Sequence, residues 1–243
     1  MAEDSDPFGQ SLWDFHRNGS SWHVIERDDG MIEPFNASLY FTTPRQWAPQ
    51  ARQALRLVHG RRVLDIGCGA GRHALYLQQR GFEVLGIDAS PLAIRTARAR
   101  GLKRAKVVPI EKVSPRLGKF DTLILFGNNF GLFGNPRKAR RLLRRFRDIT
   151  APDARILAES NNVYETDNPI HLAYHQRNRR RGRMAGQIRL RVRYKNLASA
   201  YFDYLMVSPD EMRQIVEGTG WRIARILPSS RSGYIAMLTE ANS

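Results

Sequence analysis

The chain has 243 residues, enough for one catalytic-size domain or a domain with an elaboration. Its 39 lysines and arginines against 23 acidic residues leave a net charge of +16, a field that attracts polyanions and makes nucleic acid a partner to test. A single cysteine, Cys68, excludes an internal disulfide and a multi-cysteine metal site; no apolar run reaches the ~18 residues of a membrane span, and the acidic N-terminus lacks a secretory signal, so a cytoplasmic protein is expected.

Residues 1–59 start polar and then carry Trp13, Phe15, Trp22, Phe35, Tyr40, Phe41 and Trp47, which reads as a cap or lid segment. Thr43 and Pro44 predict a helix running to Gly60. From residue 60 the pattern becomes alternating strand and helix. RRVLDIG is a strand, AGRHALYLQQRG a helix, FEVLGID a strand, and Ser90 with Pro91 opens a helix that stops at Gly101. AKVVPI (105–110) and FDTLILF (from Phe120) continue the strands. PRKARRLLRRFRDIT is an amphipathic helix with Leu142, Leu143, Phe146 and Ile149 on its apolar side, and ARILAES begins a fifth strand at Ala154. This alternation calls for a parallel sheet covered on both faces.

Residues 160–207 interrupt it as an insertion in a domain spanning 60–243. After a loop rich in His and Arg, QIRLRVRY alternates Ile188, Leu190, Val192 and Tyr194 with Arg189, Arg191, Arg193 and Lys195, giving one dry and one basic face. Its hairpin partner is expected in SAYFDYLMV (199–207). The apolar face must cover a substrate pocket or a second subunit, the basis for a homodimer through the hairpin, and the arginines are expected to face solvent. Ser208 and Pro209 open a last helix before two closing strands, WRIARIL and GYIAMLT.

The stretch DIGCGAG decides the chemistry. Gly67 and Gly69 fit a dinucleotide loop, but the third glycine position of that fingerprint is Arg72. Asp65 would repel a pyrophosphate and attract an ammonium or sulfonium group. S-adenosylmethionine carries both, and Gly67, Gly69 and Gly71 would let the backbone approach it closely. Asp88, ending the second strand, suits a ribose diol. Cys68 and His73 read as packing residues.

With VLDIGCGAG, GIDAS and FDTLILFGNN in these places, the sequence resembles the class I S-adenosylmethionine-dependent methyltransferases over roughly residues 60–160 and, more weakly, 208–240. The resemblance implies an α/β fold, a doubly wound, mostly parallel seven-stranded sheet in the order 3-2-1-4-5-7-6 with the last strand antiparallel, here with a β-hairpin insertion. It implies S-adenosylmethionine as cofactor and S-adenosylhomocysteine as product. The cofactor would be held by Asp65, Gly67, Gly69, Gly71, Asp88, Ala89, Gly127 and Asn128, with Glu111 the carboxylate nearest the adenine amino group.

The resemblance puts the methyl acceptor beyond the ends of strands 4 and 5, at Gly127, Asn128 and Asn129 and at Glu159, Ser160, Asn161 and Asn162. Asn128, His171 and His175 are the candidate catalytic residues, the imidazoles as bases because they titrate near neutrality. No Asn-Pro-Pro-aromatic motif of amino-methyltransferases is present, and no ligand spacing points to a metal. Transfer to an O or N atom of a small molecule is the leading expectation. The alternatives are an RNA methyltransferase using RNRRRGR (177–183) and RLLRRFR, and a non-catalytic S-adenosylmethionine-binding module.

Overall fold

The structure, a computed structural model, describes residues 6–229 and 232–241. Residues 1–5 of the expected cap segment, and 230–231 and 242–243 of the expected main domain, lie outside the described residues. In chain order the elements are α1 (Pro7–Asn18), β1 (Trp22–Arg27), β2 (Ile32–Asn36), α2 (Pro49–Leu55), β3 (Arg62–Ile66), α3 (Arg72–Gln79), β4 (Glu83–Asp88), α4 (Pro91–Ala99) and β5 (Ala105–Val107). They continue with β6 (Phe120–Leu125), α5 (Pro136–Phe146), β7 (Thr150–Asn161), α6 (Pro169–Arg180), β8 (Gln187–Tyr194), β9 (Leu197–Ala198), β10 (Phe202–Leu205), α7 (Pro209–Val216), β11 (Trp221–Pro228) and β12 (Gly233–Glu240).

Seven strands form one sheet in the order β5-β4-β3-β6-β7-β12-β11. The pairs β3/β4, β4/β5 and β6/β7 are parallel, and β12 runs antiparallel to both of its neighbours. This is the expected doubly wound order with its reversed last strand. A second sheet has the order β10-β8-β1-β2, with β9 paired to β8. Among the described residues no helix is long and apolar enough to cross a membrane.

The chain divides into two compact units. One is formed by the described residues of Met1–Trp47 with Arg61–Val113 and Arg189–Phe202. The other is formed by Ala48–Gly60, Ser114–Ile188 and the described residues of Asp203–Ser243.

In the first unit β3 and β4 are near-continuous apolar runs because both faces are covered. Val63, Leu64, Ile66, Val84, Leu85 and Ile87 are all buried, as are Ala74 and Leu77 of α3 and Ala93, Ile94 and Ala97 of α4. The small residues on α4 admit α1, whose Leu12 is fully buried among Ala37, Ala70 and Ala93. Helix α1 has clear end signals: Asp6 caps it by accepting from Gly9 N at 2.8 Å, Pro7 stands at its first position, and Gly19 closes it at φ 74°.

Strand β1 pairs with β8 so that Glu26 faces Arg191 in register. The arginines expected to face solvent are therefore partly engaged: Arg191 and Arg193 donate to the two oxygens of Glu26 at 2.7 and 3.1 Å, and Tyr201 Oη donates to the same carboxylate at 2.8 Å. The hairpin partner of β8 is also shorter than expected. It is β9, with β10 covering only 202–205 of the anticipated 199–207. Ile188, Val192 and Tyr194 are buried within the chain.

In the second unit α5 lays Leu142, Leu143 and Phe146 into the core, each fully buried and worth ~2–3 kcal/mol. Trp221 Nε1 of β11 donates to Leu143 O at 2.9 Å. The helix predicted from Thr43 through Gly60 does not form as one piece. A 3-10 turn covers Pro44–Gln46, and α2 starts only at Pro49. Ala48 is extended at ψ 145° because a residue preceding proline is driven from the helical region. The expected loop after residue 160 contains α6, capped by Asn168 with Pro169 at its first position.

Candidate functional site

The loop following β3 bends through three left-handed glycines: Gly67 at φ 73°, Gly69 at 52° and Gly71 at 79°. The amides of Gly67 and Cys68 both donate to Ile87 O at the end of β4, at 2.8 and 3.0 Å. Asp88 then binds the loop from its side, accepting from Gly69 N on Oδ2 and from Ser90 N on Oδ1, each at 2.9 Å. Burial raises its pKa, while these backbone donors oppose the rise. A carboxylate has about four acceptor positions, so two donors leave capacity for a diol.

Asp65 is 2% exposed and its Oδ2 has no hydrogen-bond partner among the described residues. Burial, reinforced by the charge of Asp88, pushes its pKa up to about 7. Leaving a charged-type acceptor unpaired in the interior costs several kcal/mol, which a cationic ligand group would offset. Cys68 lies in the same loop, buried, with burial raising its thiol pKa further; it packs against Gly86, where a Cβ would meet its sulfur at 3.0 Å. His73 is enclosed beneath Trp47 at 4.7 Å between ring centroids, and burial keeps it neutral. Ala89 and Glu111 are exposed, the latter in a 3-10 turn at Ile110–Lys112.

The N-terminal residues close on this loop. A Cβ placed on Gly69 would lie 3.7 Å from Tyr40 and 3.9 Å from Phe8 and Leu12. Arg72 donates to Leu39 O at 2.6 Å, and Arg100 donates to Ala70 O at 2.6 Å and Tyr40 O at 3.3 Å. These two arginines were invisible as site residues in sequence, because nothing in their neighbourhood signals that their targets are carbonyls some 30 to 60 positions away.

In the second unit Gly127, at φ 76°, donates its N–H to Glu159 Oε2 at 2.6 Å. Asn128 is left-handed at φ 66°, a conformation Asn tolerates better than most residues. Tyr204 Oη donates to its carbonyl at 2.5 Å, and Asn128 Oδ1 is buried with no partner among the described residues. Ser160 is fully buried and its Oγ accepts from Val207 N at 3.1 Å. Asn162 donates to Glu165 at 2.8 Å. His171 and His175 lie one turn apart on α6; the first is half-buried, and the second is buried edge-on to Tyr164 at 6.2 Å.

A family model described as a methyltransferase domain matches residues 63–153, the stretch holding both the glycine loop and Asn128. A crystal structure of an S-adenosylmethionine-dependent methyltransferase from Bacteroides fragilis, in complex with S-adenosyl-L-homocysteine, superimposes with a TM-score of 0.84 at 26% identity, covering 100% of this chain and 98% of that one. The chain carries a methyltransferase domain and has the fold of a class I S-adenosylmethionine-dependent methyltransferase. Among curated relatives, a tRNA (uracil(54)-C(5))-methyltransferase from Pyrococcus horikoshii is 31% identical over 129 residues, 50% of this chain and 30% of that protein. A glycine/sarcosine N-methyltransferase from Halorhodospira halochloris is 28% identical over 116 residues, 45% of this chain and 43% of that protein. The chain thus spans less than half the length of either curated methyltransferase. The residues present fit S-adenosylmethionine: an orphaned buried carboxylate, three positive-φ glycines in the loop after β3, and an acceptor carboxylate at the end of β4.

Proposed function

We propose that the protein transfers the methyl group of S-adenosylmethionine to an oxygen or nitrogen atom of a small molecule. The observation that carries this reading is Asp65, buried behind the glycine loop with Oδ2 unpartnered. Bound cofactor supplies an electrophilic methyl on a sulfonium that departs as a neutral thioether. Asp65 pairs with the ammonium end, Gly67, Gly69 and Gly71 bring backbone close, Asp88 accepts the ribose hydroxyls, and Ala89 and Glu111 line the adenine side. Asn128 Oδ1 accepts an N–H or O–H, and His171 or His175 removes the proton that an unactivated acceptor must lose.

A small acceptor is supported by where the basic residues go. Arg140 and Arg144 of α5 donate to Gln214 O and Glu217 O and to Gly218 O, and Arg147 just beyond the helix donates to Gly220 O, so these side chains serve carbonyls near the end of α7. Arg191 and Arg193 are paired with Glu26. The RNA reading is favoured by Arg179, Arg180, Arg181 and Arg183, all exposed at the end of α6, and by the similarity to a tRNA methyltransferase.

The test is release of S-adenosylhomocysteine from a panel of small amines, phenols and acids by nuclease-treated enzyme. Turnover with such an acceptor supports the proposal. Turnover confined to purified RNA, with binding that weakens steeply with salt, overturns it in favour of the RNA reading. Cofactor binding without turnover on either class leaves the non-catalytic module, and sedimentation with and without cofactor reports whether a homodimer forms.

A further inference from the structure

Asp6, outside every motif of the glycine loop, is joined to it through a chain of hydrogen bonds. Its Oδ2 accepts from Ser90 Oγ at 2.6 Å and from Leu92 N at 3.1 Å, while its Oδ1 accepts from Gly9 N at 2.8 Å. One carboxylate therefore caps the N-termini of both α1 and α4, where negative charge is favoured. Ser90 is committed in turn: its hydroxyl donates to Asp6 and accepts from Ala93 N, and its backbone N–H donates to Asp88 Oδ1. Asp88 holds Gly69. The charge of Asp6 is felt at Asp88, where it adds to the upward shift that burial imposes.

Two further observations show that this junction is built. A Cβ at Gly9 would lie 2.2 Å from Ser90 Oγ and 2.4 Å from Asp6 Oδ2, so only glycine permits the approach of α1 to α4. Beyond the junction, Phe8 and Leu12 of α1 stand over Gly69 together with Tyr40. A molecule reaching the backbone of Gly69 from that side has to displace α1.

We propose that α1 is a lid over the cofactor loop, that the Asp6–Ser90 contact is its latch, and that Asp6 is a positioning residue for Asp88. Latch closure and cofactor retention are then linked, each favouring the other. The proposal rests on the cofactor reading of the glycine loop and goes beyond it, because it names the element that opens for exchange and the residue that holds it shut.

Asp6→Asn tests it in the full chain. Asparagine is as good a helix cap as aspartate, so α1 keeps its capping acceptor while the carboxylate that receives Ser90 and Leu92 is lost. The dissociation rate of S-adenosylhomocysteine, from stopped-flow displacement, is expected to rise about tenfold, the effect of one charge-assisted hydrogen bond. Hydrogen exchange at the α1 amides is expected to slow when S-adenosylhomocysteine binds the wild type and to slow much less in the variant. Ser90→Ala removes the donor from the other side and must reproduce the faster release. An unchanged dissociation rate in both variants, or exchange in α1 indifferent to the ligand in the wild type, overturns the latch while leaving the cofactor reading intact. Wild-type protein that binds no S-adenosylhomocysteine overturns both.

Discussion

The backbone N–H of Gly69 donates to Asp88 Oδ2 at 2.9 Å across 19 residues, so the carboxylate read as the ribose acceptor also shapes the loop that admits the cofactor. Asp88→Ala removes both functions at once. With hydrogen bonds to charged groups worth ~1.5–3 kcal/mol, S-adenosylhomocysteine affinity is expected to fall roughly 10- to 100-fold in calorimetric titration. Asp88→Asn, which keeps one oxygen acceptor, should fall between wild type and Ala. Wild-type affinity in the Ala variant would remove Asp88 from the ribose site.

Asp65 predicts a proton. With its pKa at about 7, the carboxyl is largely protonated near pH 6 in the ligand-free protein. A cationic group brought to Oδ2 favours the carboxylate, so binding should expel close to one proton at about pH 6 and less as the pH passes about 7. Calorimetry in buffers of different ionisation enthalpy reads this directly. The unfolded carboxyl ionises near 3.8 and the folded one near 7, so the Asp65 contribution to stability is full at low pH and lost as pH rises through that interval. Asp65→Asn should therefore raise ligand-free stability at neutral pH, abolish proton release and weaken binding. Undiminished proton release in Asp65→Asn would place the titrating group elsewhere.

The alternation of strands and helices and the glycine loop were legible because local signals and global fold agree there, and the strand order followed from the family resemblance: DIGCGAG needs positive φ, FEVLGID ends in an acid, and α4 and α7 open on Ser-Pro caps. What escaped reading depends on partners far along the chain. Helices α1 and α6 carry Asp6–Pro7 and Asn168–Pro169 start signals, yet their aromatic, His and Arg content hides any clean apolar stripe. The pairing of β8 with β1 joins residues more than 160 positions apart, and no local pattern encodes that Arg191 will face Glu26. For the same reason Asp6, Arg72 and Arg100 were not read as supports of the loop.

Asn128 should depend on Tyr204 and Gly131. Tyr204 Oη holds the Asn128 carbonyl at 2.5 Å, and a Cβ at Gly131 would lie 2.1 Å from that same tyrosine ring. Gly131→Ala must push the ring aside, at an expected cost of about 1–3 kcal/mol in denaturant unfolding. Pairing it with Tyr204→Ala removes the obstruction, so the double variant should be less destabilised than the sum of the single ones. Additive effects would show that the two positions do not meet.

His23 sets an acid limit on the fold. It is fully buried, its Nδ1 lies 3.1 Å from Ser11 Oγ, its Nε2 has no partner among the described residues, and Phe35 stacks on its ring. Burial lowers its pKa from 6.5 to about 4. Between those values the unfolded chain binds a proton that the folded one refuses, so stability is retained above about pH 6.5 and lost as pH falls toward 4, by up to roughly 3 kcal/mol. Asp65 acts in the opposite sense over an overlapping range, so the wild-type curve alone does not separate them. The difference between wild type and His23→Phe does, because Asp65 is common to both. Urea midpoints from pH 4 to 7 should converge toward the acid end, where the wild type loses its advantage, and curves that stay parallel would show that His23 is not the titrating group.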